Sequence, residues 1–238
     1  MKHLLVLDIE TVPTVARFDE LSPELQKLWA HKAQYMQQKE PEKTIAELFE
    51  ERGGIFAEFG KIIVISLGFF FFDEDRDLCL RVKSIADDDE AALLREFSDI
   101  IHKFDPKKLR LIAHNGKEFD FPYIGRRMLV QGIPIPEALE LRDKKPWEIQ
   151  HLDTMELWRF GDRKNFTQLA LLAAIFGLPT SKSDIDGSQV AQVYYHDNDL
   201  SRIAHYCNQD VVLTAQVYLR LTQQPIILPQ KIQIVSQT

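Results

Sequence analysis

Residues 1–13 read MKHLLVLDIETVP, and this stretch decides the fold. Leu4 to Leu7 is an apolar run suited to a buried strand, yet Asp8 and Glu10 follow at alternate positions. Side chains at i and i+2 of a strand share a face. Two carboxylates therefore project side by side where a core should be forming. Like charges repel and burial penalises both. Either something positive sits between them or the site is wet.

Working outward, two more strands are expected at Lys61–Phe71, rich in Ile, Val and Phe, and at Leu78–Ser84 after the turn-like DEDRD. A helix from about Glu90 to Phe104 carries Leu93, Leu94, Phe97, Ile100, Ile101 and Phe104 as a 3.6-residue stripe. LRLIAHN is a fourth strand ending at His114-Asn115. After DFP, with Pro122 suited to a first helical turn, a helix runs to about Gln131 and stops at Gly132. A fifth short strand is expected over Gln150–Thr154. Helices follow at Phe166–Phe176, stopped by Gly177, in a shorter piece after Asp186-Gly187-Ser188, and at Asp199–Leu221. Residues 22–52 form a helical insertion of one or two amphipathic helices, and the tail from residue 223 is either an extra edge strand or disordered. Strands first, then strands alternating with helices, then helices, predict an α/β sheet of about five strands of mixed direction, flanked by helices.

The chain has 238 residues, 45% hydrophobic and 27% charged, ordinary for a soluble globular protein with a substantial core. Its two cysteines, Cys79 and Cys207, match no metal spacing and point to a reducing compartment. No leader pattern precedes LLVLDIE, and the longest apolar stretch, Ile62 to Phe72, is too short for a bilayer. The expectation is a cytoplasmic protein with no membrane partner; protein partners are not legible. A net charge of −7 argues against a broad basic coat for nucleic acid, but not against a small footprint on a strand end. The basic pairs Arg126-Arg127, Lys107-Lys108, Lys144-Lys145 and Arg163-Lys164 read first as solvated surface.

Three short motifs answer the opening question together: D-x-E at Asp8 and Glu10, N-x4-D at Asn115 and Asp120 with Phe119 between, and Y-x3-D at Tyr206 and Asp210. Each alone is common. Their placement is more demanding: the first strand, the turn after the fourth strand, and the last long helix. Four carboxylates from three distant segments are tolerable together only around cations. Hard oxygen ligands suit Mg²⁺ or Mn²⁺ rather than Zn²⁺, and no His/Cys cluster competes. HYCNQD also satisfies H-x4-D through His205. At about 100° per residue, Tyr206 lies some 40° from Asp210 around the helix and His205 about 140°, so regular helix favours Tyr206.

LDIETVP, HNGKEFDFPYI and YCNQDV resemble the three motifs of the DEDD superfamily of 3′-5′ exonucleases, in its tyrosine-bearing (DEDDy) branch. The likeness is closest to the proofreading exonuclease domains of B-family DNA polymerases, through the N-x3-F-D-x-P-Y pattern around Asp120. KSDIDGSQVAQVYY and LSRIAHYCNQDVVLTAQVYLRL further resemble stand-alone bacterial relatives, in which the loop holding Lys182 and Ser188 is shared. The likeness spans most of residues 1–220 apart from 22–52 and the tail.

That resemblance implies a ribonuclease-H-like fold whose first three strands are antiparallel, in one exonuclease domain over residues 1–222 followed by a tail, 223–238. It implies a two-ion hydrolysis in which Asp8 bridges both ions, Glu10 and Asp210 complete one site, Asp120 holds the second, and Tyr206 orients water. Thr11 and Asn115 would contact the terminal nucleotide, with Phe119 against its sugar or base. The implied activity is removal of nucleoside monophosphates from single-stranded 3′ ends, DNA favoured, as in DNA repair. RNA 3′-end trimming on the same fold, or a catalytically weak nucleic-acid-binding module, are the alternatives.

Overall fold

In the computed structural model, which describes every residue except 163, 165, 180–183 and 236–238, β1 (Leu4–Pro13) lies inside a single mixed sheet. Runs of Ile, Val and Phe build its antiparallel neighbour β2 (Gly60–Phe72), and β3 (Leu78–Ala86) turns back against β2. On the far side of β1 lie β4 (Arg110–Ala113) and β5 (Leu152–Asp153), both parallel to their neighbours. Parallel pairing needs long crossovers, supplied by α3 (Glu90–Ile101) before β4 and α4 (Asp120–Val130) before β5. Asp89 caps α3 by accepting the Ala91 and Ala92 amides, and Gly132 at φ 65° ends α4.

The strand order is β5-β4-β1-β2-β3-β6. The sheet therefore has six strands rather than five. The sixth, β6 (Ile232–Val235), comes from the tail and pairs parallel with β3 at Leu80–Lys83. The outer edge of β3 leaves a row of backbone groups that β6 satisfies. The remaining helices are α1 (Pro23–Lys39) and α2 (Ile45–Arg52) in the early insertion, then α5 (Thr154–Arg159), α6 (Leu169–Ile175), α7 (Val190–Gln192) and α8 (Leu200–Leu221). The helix expected after Ser188 is a single turn, α7, running into a wide turn over Val193–Asp197 that Asn198 ends at φ 53°. Among the described residues no helix is long and apolar enough to cross a membrane. Arg163 and Lys182 lie outside the described residues.

The alternation of β1 divides the core. Leu5, Leu7 and Ile9 face α3 and α4, packing with Leu93, Leu94, Phe97, Phe121, Ile124 and Met128. Leu4 and Val6 face α8, packing with Leu80, Val82, Val211, Ala215 and Leu219. Each such buried aliphatic side chain contributes roughly 1.5–3 kcal/mol. The approach of α8 is close: opposite Val6, a Cβ on Gly68 would lie 2.8 Å from Val211 Cγ1. Asp8 and Glu10 continue the even series, so they emerge beneath α8.

The insertion has its own small core around Trp29, ringed edge-on by Phe49, Phe56 and Phe59 at 5.1–5.8 Å, with the indole N–H donating to Ile45 O at 3.0 Å. It returns to the sheet through the turn at Gly54. There Thr11 Oγ1 and Tyr123 Oη both donate to the Gly54 carbonyl, at 2.9 and 2.7 Å. A Cβ on Gly54 would meet the Val12 backbone at 3.0 Å, so glycine permits the contact. A buried bidentate pair braces the same region: Arg127 donates to Glu90 at 2.9 and 2.6 Å and to Ala57 O at 2.8 Å, while the Ile62 amide and Gln131 also donate to Glu90.

Candidate active site

β4 pairs with β1 only at Leu4, Leu5 and Val6, so β1 runs on past the end of β4. A bulge interrupts the β1–β2 register between Glu10 and Thr11, just beyond the two acids. Asp8 and Glu10 thus stand at an open end of the sheet on the face that α8 covers. On α8 the Cys207 thiol donates to Asp8 Oδ2 at 3.3 Å. One oxygen each from Asp8 and Glu10 and the Cys207 sulfur all lie within 4.8 Å of one another. Tyr206 and Asp210, one turn apart on α8, face the same space, and the Tyr206 hydroxyl hydrogen-bonds Asp210. Asp120, the first residue of α4, approaches from beyond the end of β4, with the Ile9 amide directed at its carboxylate. It is 3% exposed, and its Oδ1 has no hydrogen-bond partner.

Electrostatics reports the same convergence. Burial, then the charges of Glu10, Asp120 and Asp210, hold the Asp8 carboxyl well above its ordinary range. Glu10 is raised by burial and by Asp210 and Asp120. Asp210 is raised by burial, against the pull of the Tyr206 hydrogen bond. Burial lifts Asp120 to about 7; its own amide and that of Ile9 oppose the rise, while Asp153 adds to it. These four carboxylates, two buried and two partly buried, have no ion-pair partner among the described residues. A buried carboxylate oxygen without a donor, among hard oxygen ligands, fits a hard divalent cation. Asp8 and Glu10, beside the Cys207 sulfur, bring possible ligand atoms within 4.8 Å of one another, and the charges of Asp120 and Asp210 bear on both acids. Burial pushes the Tyr206 hydroxyl up, followed by Asp210 and Glu10, so it stays a neutral phenol.

The three expected substrate contacts fall differently. Asn115 adopts φ 65°, a conformation asparagine tolerates, and its amide donates to Asp153 Oδ1 at 2.9 Å. It lines a cavity in which Lys117, Lys144 and Arg159 lie among Glu118, Asp153 and Glu156. The Phe119 ring is half-buried against Tyr123 at 5.2 Å, at the start of α4. The Thr11 hydroxyl is committed to Gly54, so its direct work here is holding the insertion to β1. His205 is exposed and lines a separate groove with Ser84 and Asn208, while Ser188 bonds Asp186 at 2.5 Å.

Sequence reasoning missed Asp153 and Cys207. Asp153 is buried and collects the amides of Asn115, Lys117 and Met155, at 2.9, 3.1 and 2.9 Å, tying the turn before Asp120 to the cap of α5. Asp followed three residues later by Glu156 was a legible cap signal. Nothing local marks Cys207, because its contact depends on how α8 crosses β1.

Residues 56–229 match a family model described as a predicted 3′-5′ exonuclease related to the exonuclease domain of PolB. The chain is 28% identical over 180 residues to DNA polymerase 1 of Pyrococcus abyssi, covering 67% of this chain and 22% of that protein. It is 27% identical over 191 residues to a DNA polymerase of Thermococcus gorgonarius, covering 73% and 23%. The chain thus spans less than a quarter of the length of these relatives. Among solved structures, the family B DNA polymerase of Pyrobaculum calidifontis superposes with a TM-score of 0.53 at 14% identity, over 91% of this chain and 24% of that one. This likeness is one of fold, the ribonuclease-H-like mixed sheet.

Proposed function

The chain belongs to the family of predicted 3′-5′ exonucleases related to the exonuclease domain of PolB, and from that membership we propose that it hydrolyses single-stranded 3′ ends, DNA in preference to RNA, with two divalent ions. The observation that carries the reading is the gathering of Asp8, Glu10, Asp120 and Asp210 from three distant segments, with a buried Asp120 oxygen left without a donor. Mg²⁺ or Mn²⁺ ions bound there would neutralise phosphoryl charge and make water a nucleophile. Asp8, nearest the centre by its interactions with all three other acids, would hold both. Glu10 and Asp210 would serve one position and Asp120 the other.

The chain's own groups do the rest. Tyr206, neutral and anchored on Asp210, orients the attacking water by hydrogen bonding and takes no proton itself. Phe119 offers a ring face to the terminal sugar or base, a contact indifferent to sequence. Asn115, fixed by Asp153, faces the strand next to it. The product would be a nucleoside monophosphate and a strand shortened by one. On this reading residues 1–222 form the nuclease unit, with 22–52 inserted, and trimming of 3′ ends in DNA repair is the setting that suits it.

The test is digestion of 3′-labelled single-stranded DNA, duplex DNA and RNA with Mg²⁺, with Mn²⁺ and with chelator. Stepwise loss from single-stranded DNA, abolished by chelator and by Asp8→Ala, is expected. Faster loss from RNA would transfer the substrate to RNA, since discrimination rests on the 2′-hydroxyl. An intact label under every metal condition, with the strand still bound, would leave a binding module instead.

A further inference from the structure

The most exposed large apolar side chains among the described residues are Phe160, at 91%, and Trp147, at 75%; Phe166, at 64%, lies close behind. Residues next to them or in contact with them line the cavity that contains Asn115. Arg159, next to Phe160, lines that cavity and holds its guanidinium 4.7 Å over the Phe166 ring. Pro146, next to Trp147, lines it too, and Lys145 Nζ lies 5.4 Å over the Trp147 ring. Lys117 and Lys144 line the same space with Glu118, Asp153 and Glu156, and Lys117 pairs with Glu156 at 2.5 Å and Arg159 with Glu118 at 3.7 Å. The cavity, of about 150 Å³, is lined by Asn115, which precedes Asp120 by five residues in the chain.

Phe160 is costly in two ways. Its ring meets water, and its backbone sits at φ 47°, the left-handed conformation that glycine would take freely at the end of α5. Strain and exposed apolar area on one residue point to a ligand. The ligand must offer flat rings to three aromatic faces and negative charge to Lys144 and Lys145, which hold no ion pair among the described residues. A single nucleic-acid strand has both, with bases that stack on any aromatic face and phosphates that pair with cations. It also needs an outlet of this kind: a strand whose 3′ end lies at the acids must leave past the turn that holds Asn115.

We infer that Trp147, Phe160 and Phe166, with Lys144, Lys145 and Arg159 between them, form a stacking platform for the single-stranded segment on the 5′ side of the terminal nucleotide. The inference rests on the exonuclease reading for the direction of the strand, but its test does not need turnover.

In chelator, where nothing is cut, oligothymidylates of increasing length are titrated into the protein while tryptophan emission and the anisotropy of a 5′-label are followed. Trp147 is the exposed indole, Trp29 being fully buried and Trp158 half-buried edge-on against Phe176, so quenching on binding that disappears in Trp147→Phe locates the bases on this face. Phe160→Ala and Phe166→Ala should each weaken binding roughly fivefold to 150-fold, as expected for one stacked base. Phe160→Trp should restore it, and thermal midpoints should not move. The inference is overturned if the variant lacking all three rings binds with wild-type affinity, or if binding depends on salt alone and not on the rings. Stacking without hydrolysis in Mg²⁺ or Mn²⁺ would instead defeat the exonuclease reading and leave the platform standing.

Discussion

Replacing Asp120 by asparagine should make the metal-free protein more stable while destroying its activity. Asp120 is 3% exposed and its carboxyl is raised from 3.8 to about 7, mainly by burial. In the unfolded chain the group ionises near its ordinary value, so between those two pH values the folded state keeps a proton that the unfolded state has lost. Raising the pH through this window therefore lowers folding stability, and the loss is complete above pH 7. A displacement of this size corresponds to about 4 kcal/mol. An asparagine amide at this position has no charge to desolvate and nearly the same shape. In chelator at pH 8, Asp120→Asn should exceed the wild type by up to about 4 kcal/mol, with the gap closing towards pH 4. Urea unfolding at half-unit pH steps reads this directly. Adding Mn²⁺ should reverse the order, because ions bound to the folded wild type alone stabilise it by mass action. A variant less stable than the wild type at pH 8 in chelator, or a gap that ignores pH, would refute the claim that these acids are gathered at a cost a cation relieves.

The other predictions concern neighbouring residues. Tyr206→Phe should slow removal of a 3′-terminal nucleotide by at least about tenfold, whereas His205→Ala stays within roughly twofold; the reverse pattern in initial rates would exchange their roles. His151 is buried with its Nε2 donating to Ala138 O at 2.8 Å and its Nδ1 accepting from the Leu111 amide at 3.2 Å, and burial lowers it to about 4. Its neutral form is the one the fold needs, so stability should fall by about 3 kcal/mol as the pH drops from 6.5 to 4. The acidic site contributes an opposite slope common to both proteins, so the difference between wild type and His151→Gln in urea isolates this effect. Arg127→Ala should cost about 3–5 kcal/mol by stranding Glu90 in the core, and pairing Arg127→Met with Glu90→Leu should cost less than Arg127→Ala alone; thermal melts decide.

Much of this protein is written in short-range patterns. The two-residue alternation of Leu4 to Glu10 sets which side chains share a face. The 3.6-residue stripes of α3 and α8 and the stop at Gly132 follow from backbone geometry that needs no distant partner. Elements whose form depends on a neighbour are less legible. β6 is a strand because the edge of β3 is open to it, and β5 shrinks to two residues because only Ile112 and Ala113 of β4 are there to pair. Asp153 reads locally as a helix cap, yet its larger task is to hold amides nearly forty residues earlier. Thr11 stands beside the acids in sequence, but the return of the insertion takes its hydroxyl.

The sequence by itself determined that Asp8 and Glu10 lie on one face, that Tyr206 and Asp210 lie on one side of a helix, and that Asp120 opens another helix. Only the tertiary structure decided that these three segments meet at one place, with the Cys207 thiol among them and an Asp120 oxygen left bare. Periodicity fixes directions along an element over a few residues. Distances between elements depend on how close the helix can come to the sheet, here on the absence of a side chain at Gly68 where α8 crosses.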